Sequence, residues 1–306
     1  MKKRAVKPPP GRSFFTWDIH YACNFRCTYC YFHGSWEERA KENRHPGLGR
    51  WKEIWDAVAQ RYGEGHLHIS GGEPFIYPDF ISLAAHLIKN FTVEFDTNLS
   101  FDVDEFMAKV GTERVKFATA FHPRFADFEI YIGKLLKLKK AGYDLGVNYV
   151  AYPEQLAEMG EYRKRFEEVH ISFDIMPFRG TYRGREYPEG YTEEEKRLLR
   201  SIDPRTASRM LDVYAGGENK GKPLNPHKGK KCRMGQVYVK IHPDGQAYRC
   251  CLIKEKGKKG NIIEGTFAFD EDPQVCDLDK CPCWVAMVVG EEDNWLFHWK
   301  TPHPSG

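Results

Sequence analysis

From Phe14 to about Phe178, short apolar runs alternate with stretches in which apolar residues recur every three or four positions. The runs Phe14–Ile19, His66–Ser70, Val93–Asp96, Val115–Ala120, Leu145–Tyr152 and His170–Ile175 predict strands. Between them, Trp51, Ile54, Trp55 and Val58 mark one face of a helix over Trp51–Tyr62. Asp79–Asn90 and Phe128–Ala141 follow the same rule, the second stopping at Gly142. Pro153–Val169 predicts a charged surface helix that opens on a proline, which suits a first helical turn. Strands alternating with helices predict an α/β class with a parallel sheet. Too little chain is present for eight full units, so the expected architecture is a partial (β/α)6 TIM-like barrel over residues 14–180.

The flanks differ in composition. Residues 1–13 form a basic tail with no apolar segment behind it, so no secretory signal is expected. Residues 181–230 are polar and rich in Gly and Pro, a bridge around helical stretches at Thr192–Ile202 and Ser208–Tyr214. In residues 231–290, Gln236–Ile241 and Gln246–Cys250 flank Pro243-Asp244-Gly245, a strong hairpin signal. This predicts a small C-terminal β-hairpin/α domain, followed by a tail over 291–306.

Of the 306 residues, 41% are hydrophobic, enough for a core, yet no apolar run reaches membrane-span length. No membrane partner is therefore expected. The net charge of +3 gives no global pull toward nucleic acid. The lysine runs at Lys220–Lys231 and Lys254–Lys259 lack interleaved aromatics and read as solvated loops, so nucleic acid is not an expected partner. Nine cysteines, an odd number clustered toward both ends, fit metal binding in a reducing compartment better than disulfides; the expected location is the cytoplasm.

The first cluster is Cys23-x3-Cys27-x2-Cys30. Three thiolates so close together can hold one face of an iron–sulfur cube and leave its fourth iron without a protein ligand. Such a site is open to an exogenous ligand, as a catalytic zinc site is. Zinc motifs, by contrast, usually add a second distant cysteine pair. The cysteines follow the first predicted strand and Gly71-Gly72-Glu73-Pro74 follows the second, so both fall on one barrel rim. Together these motifs resemble the radical S-adenosylmethionine (radical SAM) superfamily over roughly Phe14 to Phe178.

That resemblance implies a 4Fe-4S cluster on Cys23, Cys27 and Cys30. It also implies a methionine-amino site at Gly71, Gly72, Glu73 and Pro74, and an adenine approached by the backbone at Tyr29. Thr97 and Asn98 would lie near the ribose, although Leu99 replaces the glycine many members carry next. Thr119, His122 and Asn148 end later strands and are candidate lining residues, as are Met176 and Pro177. Reductive cleavage of S-adenosylmethionine would release a 5′-deoxyadenosyl radical that abstracts hydrogen from a substrate. The electron would come from a reductant such as flavodoxin or ferredoxin.

The later cysteines, Cys232, Cys250, Cys276, Cys281 and Cys283, resemble the auxiliary-cluster domain called twitch, related to SPASM. An auxiliary 4Fe-4S cluster would then use Cys232, Cys250 and Cys281 with Cys276 or Cys283; zinc is the alternative. Cys251 would face away from Cys250 on a strand, either as an inert thiol or as a hydrogen-atom donor. The expected function is hydrogen abstraction from a small sugar-like molecule or a peptide, ending in oxidation or epimerisation. The alternatives are a ribosomal-peptide maturase and a non-catalytic iron–sulfur electron-transfer protein.

Overall fold

The structure is a computed structural model that describes residues 13–204, 228–252 and 255–278. Residues 1–12, the stretch Ser208–Tyr214, Cys281 and Cys283 lie outside the described residues. Six parallel strands stand side by side: Ser13–His20 (β1), Gly65–Gly71 (β2), Phe91–Thr97 (β3), Val115–Ala120 (β4), Asp144–Ala151 (β5) and Ser172–Pro177 (β6). The crossovers carry Trp36–Ala40 (α1), Leu48–Tyr62 (α2), Phe80–Leu87 (α3), Val103–Lys109 (α4), Phe128–Lys140 (α5) and Leu156–Glu168 (α6). A hairpin of Gly180–Tyr182 (β7) and Arg185–Tyr187 (β8) follows, then Glu193–Ile202 (α7).

The C-terminal hairpin, Tyr238–Ile241 (β10) and Gln246–Tyr248 (β11), joins this sheet. β10 runs parallel to β1, pairing Phe14 with Tyr238 and Trp17 with Ile241. With Lys258–Asn261 (β12) the sheet reaches nine strands in the order β12-β11-β10-β1-β2-β3-β4-β5-β6, and among the described residues its two edges do not pair with each other. Lys231–Cys232 (β9) and Gln274–Val275 (β13) form a separate small ladder. Within residues 231–278 the described helical structure is one 3-10 turn, Glu255–Gly257, and residues 279–290 of the expected hairpin/α domain lie outside the described residues.

Two other departures have local causes. α4 was not expected because only Val103 and Phe106 are buried in it, too few for a visible period; Asp102 nucleates it by accepting from Asp104 N (2.9 Å) and Glu105 N (3.1 Å). β6 starts at Ser172 rather than His170, because His170 sits at φ +53°, a left-handed conformation no strand accommodates.

Strand alternation splits the sheet into two chemistries. Toward the helices point Phe15, Trp17, Leu67, Ile69, Val93, Phe95 and Phe117, all fully buried. Trp17 meets Trp51 and Trp55 of α2 at ring separations of 4.6 and 5.1 Å. The concave face is polar. Register places Lys240, Thr16, His68, Glu94 and Lys116 in one cross-strand row. Asp18 lies beyond it beside Ser70. Burial alone would raise Glu94, but His66, His68 and Lys116 hold it at about 2. His68 donates toward Asp96 (2.9 Å), and the two carboxylates raise its pKa against the effect of burial.

Lys240 brings the C-terminal hairpin into this face by pairing with Asp18 at 2.5 Å, both side chains being largely buried. Burial favours the neutral acid, but Lys240, with Ser70 at 2.7 Å, keeps the Asp18 carboxyl below its usual range. Replacing one partner of such a pair strands the other. Lys240→Met is expected to lower unfolding free energy by about 3 kcal/mol at neutral pH. Because the folded-state pKa of Asp18 is depressed, its pairing contributes above the unfolded carboxyl range and is lost as pH falls. The difference between wild type and variant in urea midpoint should therefore shrink below about pH 4; a gap independent of pH would contradict this.

Candidate active site

β1 ends at His20, and the chain turns into the cysteine loop. Cys30 N donates to Cys27 O (3.1 Å), closing a tight turn between the second and third cysteines. Phe25 N donates to Cys23 Sγ (3.3 Å) and Phe32 N to Cys30 Sγ (3.4 Å). Burial pushes all three thiols up, Cys27 to about 12, and the mutual proximity of the sulfurs adds to the rise at Cys23 and Cys27. Thiols crowded in this way need a positive partner to ionise, and a metal cluster supplies one. The donor set therefore fits the 4Fe-4S group the motif implies.

Beside this loop, β2 ends at a glycine pair. A Cβ on Gly71, which sits at φ +127°, would lie 2.2 Å from His20 O; one on Gly72 would lie 1.8 Å from Ala22 O. Only glycine lets the two strand ends meet through Gly72 N to His20 O (2.8 Å) and Glu73 N to Ala22 O (2.9 Å). Glu73 is fully buried, and its carboxylate accepts from Thr97 Oγ1 (2.8 Å), Asn98 N (2.7 Å) and Phe75 N (3.1 Å). Burial raises its pKa to about 7 in spite of these donors. A carboxylate in that state gains from an incoming ammonium.

Thr97 and Asn98 also brace the rim. Asn98 Nδ2 donates to Asn24 Oδ1 (2.9 Å), tying the end of β3 to the cysteine loop, and Leu99 N donates to Thr97 Oγ1 (3.0 Å). Leu99 itself is at φ +60° and buried. The left-handed turn is thus present without the glycine that would adopt it freely.

A cavity of about 220 Å³ is bounded by Cys23, Cys27, Cys30, Gly71, Gly72, Glu73, Thr97 and Asn98. Tyr29 and His122 close it on the far side: their rings stack at 5.7 Å, with Tyr29 Oη 3.1 Å from His122 Nδ1. Desolvation lowers the pKa of His122 to about 4, so the imidazole is neutral at pH 7. Pro74 is buried under the rim and starts a 3-10 turn. Thr119 points the other way, into the helix layer, donating to Gly146 O (2.9 Å) and accepting from Tyr131 Oη (2.8 Å). Asn148 and Met176 share the concave face with Val150, but of these only Val150 reaches the cavity wall; Met176 is exposed.

A second cavity of about 420 Å³ adjoins the first, and both share Cys30, Tyr31, Phe32, Gly71 and Asp96. Its remaining wall includes Asp18, Ser70, Arg39, Lys240, His242 and Cys251. None of its charged residues was identified from the motifs. The available signal was the polar half of each alternation, as in Thr16-Trp17-Asp18-Ile19-His20 and His66-Leu67-His68-Ile69-Ser70.

The later thiols divide. Cys232, Cys250 and Cys276 share one buried cluster with Phe14, Met234, Val237 and Tyr238, while Cys251 is exposed on the second cavity. Arg249, buried, knits the three segments by donating to Met234 O (3.2 Å), Gln274 O (3.3 Å) and Val275 O (3.4 Å).

Residues 17–166 match the family model of the radical SAM superfamily. This part of the chain is a radical SAM domain. A search of curated proteins returns no match. Among solved structures the chain is similar to histidine-tagged anSMEcpe with bound AdoMet, at 16% identity over 84% of this chain and 76% of that one, with a TM-score of 0.54. Native anSMEcpe with bound AdoMet and Cp18Cys peptide is similar at 18% identity over 84% and 79%, with a TM-score of 0.53. At these identities the likeness shows the fold, the open radical SAM barrel. No helix among the described residues is long and apolar enough to cross a membrane.

The radical SAM rim makes a direct prediction at Leu99. Truncation to alanine removes buried side chain but keeps a left-handed Cβ, which costs about 1–2 kcal/mol. Leu99→Gly removes that strain too. Glycine is therefore expected to match alanine here or exceed it by about 1 kcal/mol, the reverse of its usual standing in ordered backbone. Thermal unfolding of the two variants checks the order, and a glycine variant clearly less stable than alanine would refute it.

Proposed function

We propose that this protein is a radical SAM enzyme that epimerises a small polar substrate held in the second cavity. The observation that carries this reading is the junction of the two cavities at Cys30, Gly71 and Asp96, with Cys251 on the wall of the second. When bound, a 4Fe-4S cluster and S-adenosylmethionine supply the one-electron cleavage that yields a hydrogen-abstracting carbon radical. Cys23, Cys27 and Cys30 would hold that cluster. Glu73 and the carbonyls of the β2 end would accept the cosubstrate ammonium, and Tyr29 and His122 would exclude water beside the adenine.

The second cavity presents the substrate carbon to the first. Cys251 then returns a hydrogen atom from its thiol to the opposite face of that carbon. The sulfur radical left behind takes one electron and one proton from an external reductant of the flavodoxin or ferredoxin class, restoring the thiol. A second reading, oxidation of the substrate, rests on Cys232, Cys250 and Cys276 in one buried cluster. With Cys281 or Cys283 these thiols would complete an auxiliary 4Fe-4S site able to accept the electron.

Turnover in deuterated water separates the readings. Epimerisation predicts recovered, isomerised substrate carrying one deuterium, and Cys251→Ala should abolish isomerisation while 5′-deoxyadenosine still forms. A product two electrons more oxidised, unchanged in the alanine variant, would favour the second reading.

A further inference from the structure

The second cavity contains more charge than its own pairs consume. Asp18 is held by Lys240 (2.5 Å), Ser70 (2.7 Å) and Tyr21 Oη (3.3 Å). His242 Nδ1 lies 3.1 Å from Glu42. Two groups remain. Arg39 lies over the rings of Phe32 (4.5 Å) and Tyr21 (5.3 Å) and donates through Nε to Ser35 Oγ (3.3 Å), but it forms no ion pair among the described residues. The fork of N–H donors on a guanidinium matches a carboxylate. Asp96 engages His68 through one oxygen (2.9 Å), and its side chain remains 44% exposed. Both residues line the cavity, one from α1 and one from β3.

We propose that the second cavity binds a zwitterionic substrate, with a carboxylate on Arg39 and an ammonium on Asp96. An amino acid or a short peptide with free termini has this chemistry, whereas an amino sugar offers only the cation and a neutral sugar neither. A volume of about 420 Å³ suits a ligand of that size. The proposal rests on the reading of this cavity as the substrate site. It goes further by assigning Arg39 as the residue that selects for an anionic group.

The test is calorimetric titration of the reconstituted protein, saturated with S-adenosylmethionine, using four probes: glycylglycine, N-acetylglycylglycine, glycylglycinamide and glucosamine. Glycylglycine should bind best, and removing either terminal charge should weaken binding about ten-fold. Arg39→Gln should weaken glycylglycine by a similar factor yet leave glycylglycinamide unchanged, which also shows that the variant is folded. Equal affinities for all four probes, or tighter binding of glucosamine, would overturn the proposal. So would an Arg39→Gln variant with intact glycylglycine affinity and a shifted cluster potential, because Arg39 would then only balance the thiolates. Formation of 5′-deoxyadenosine by the wild type is scored separately. Cleavage without charge discrimination sinks the zwitterion assignment alone, and discrimination without cleavage sinks the enzymatic reading alone.

Discussion

The close approach of two strand ends sets the geometry of this protein's rim. Gly71 and Gly72 bring the end of β2 against the carbonyls of His20 and Ala22, at distances no side chain would allow. Through that contact Glu73 lies beneath the turn into the cysteine loop, and through Glu73 the end of β3 is drawn in by Thr97 and Asn98. Asn98 then reaches Asn24, closing the circuit back to the cysteines. Three strand ends are thus fixed by a few buried hydrogen bonds, and the thiols inherit their positions. In a buried polar network every member must be satisfied, so such a circuit is rigid when complete and fails as a unit.

The same logic continues down the concave face. In this barrel, polar and ionised residues occupy the row from Lys240 to Lys116, and the pairs Asp18–Lys240, His68–Asp96 and Lys116–Glu94 offset the cost of burying their charge. The C-terminal hairpin supplies one of these charges. It also sets Cys250 and Cys251 in different environments, one among buried thiols and one on the second cavity. One continuous sheet therefore joins the cysteine rim to the segment that carries the later thiols.

Much of this was legible in the chain. The six strands follow from apolar runs, since a strand buried on its helix side must repeat that pattern. The Cys23–Cys30 and Gly71–Pro74 motifs occupy the same rim because both follow strand ends. Thr119 shows where reading by position fails: it ends a strand, but it shares parity with Phe117 and so points into the helix layer. Asn148 has the right parity but does not line the cavity, and Met176 lies on the right face at an exposed place. The gathering of Cys232, Cys250 and Cys276 depends on Arg249 and on the β9–β13 pairing, long-range contacts that spacing does not encode. Arg39 and Asp96 look like ordinary surface charges until the fold places them, from α1 and β3, on one cavity.

The central claim is that the locked ends of β1 and β2 create the cosubstrate site. Formation of 5′-deoxyadenosine by reconstituted, reduced wild type and by Gly72→Ala tests it most directly. The added methyl must displace the Ala22 carbonyl and with it the approach to the cysteine loop. Wild type should cleave S-adenosylmethionine, and Gly72→Ala should be slower by about 100-fold, the scale of an ångström-level misplacement. A variant that cleaves at the wild-type rate would contradict the account.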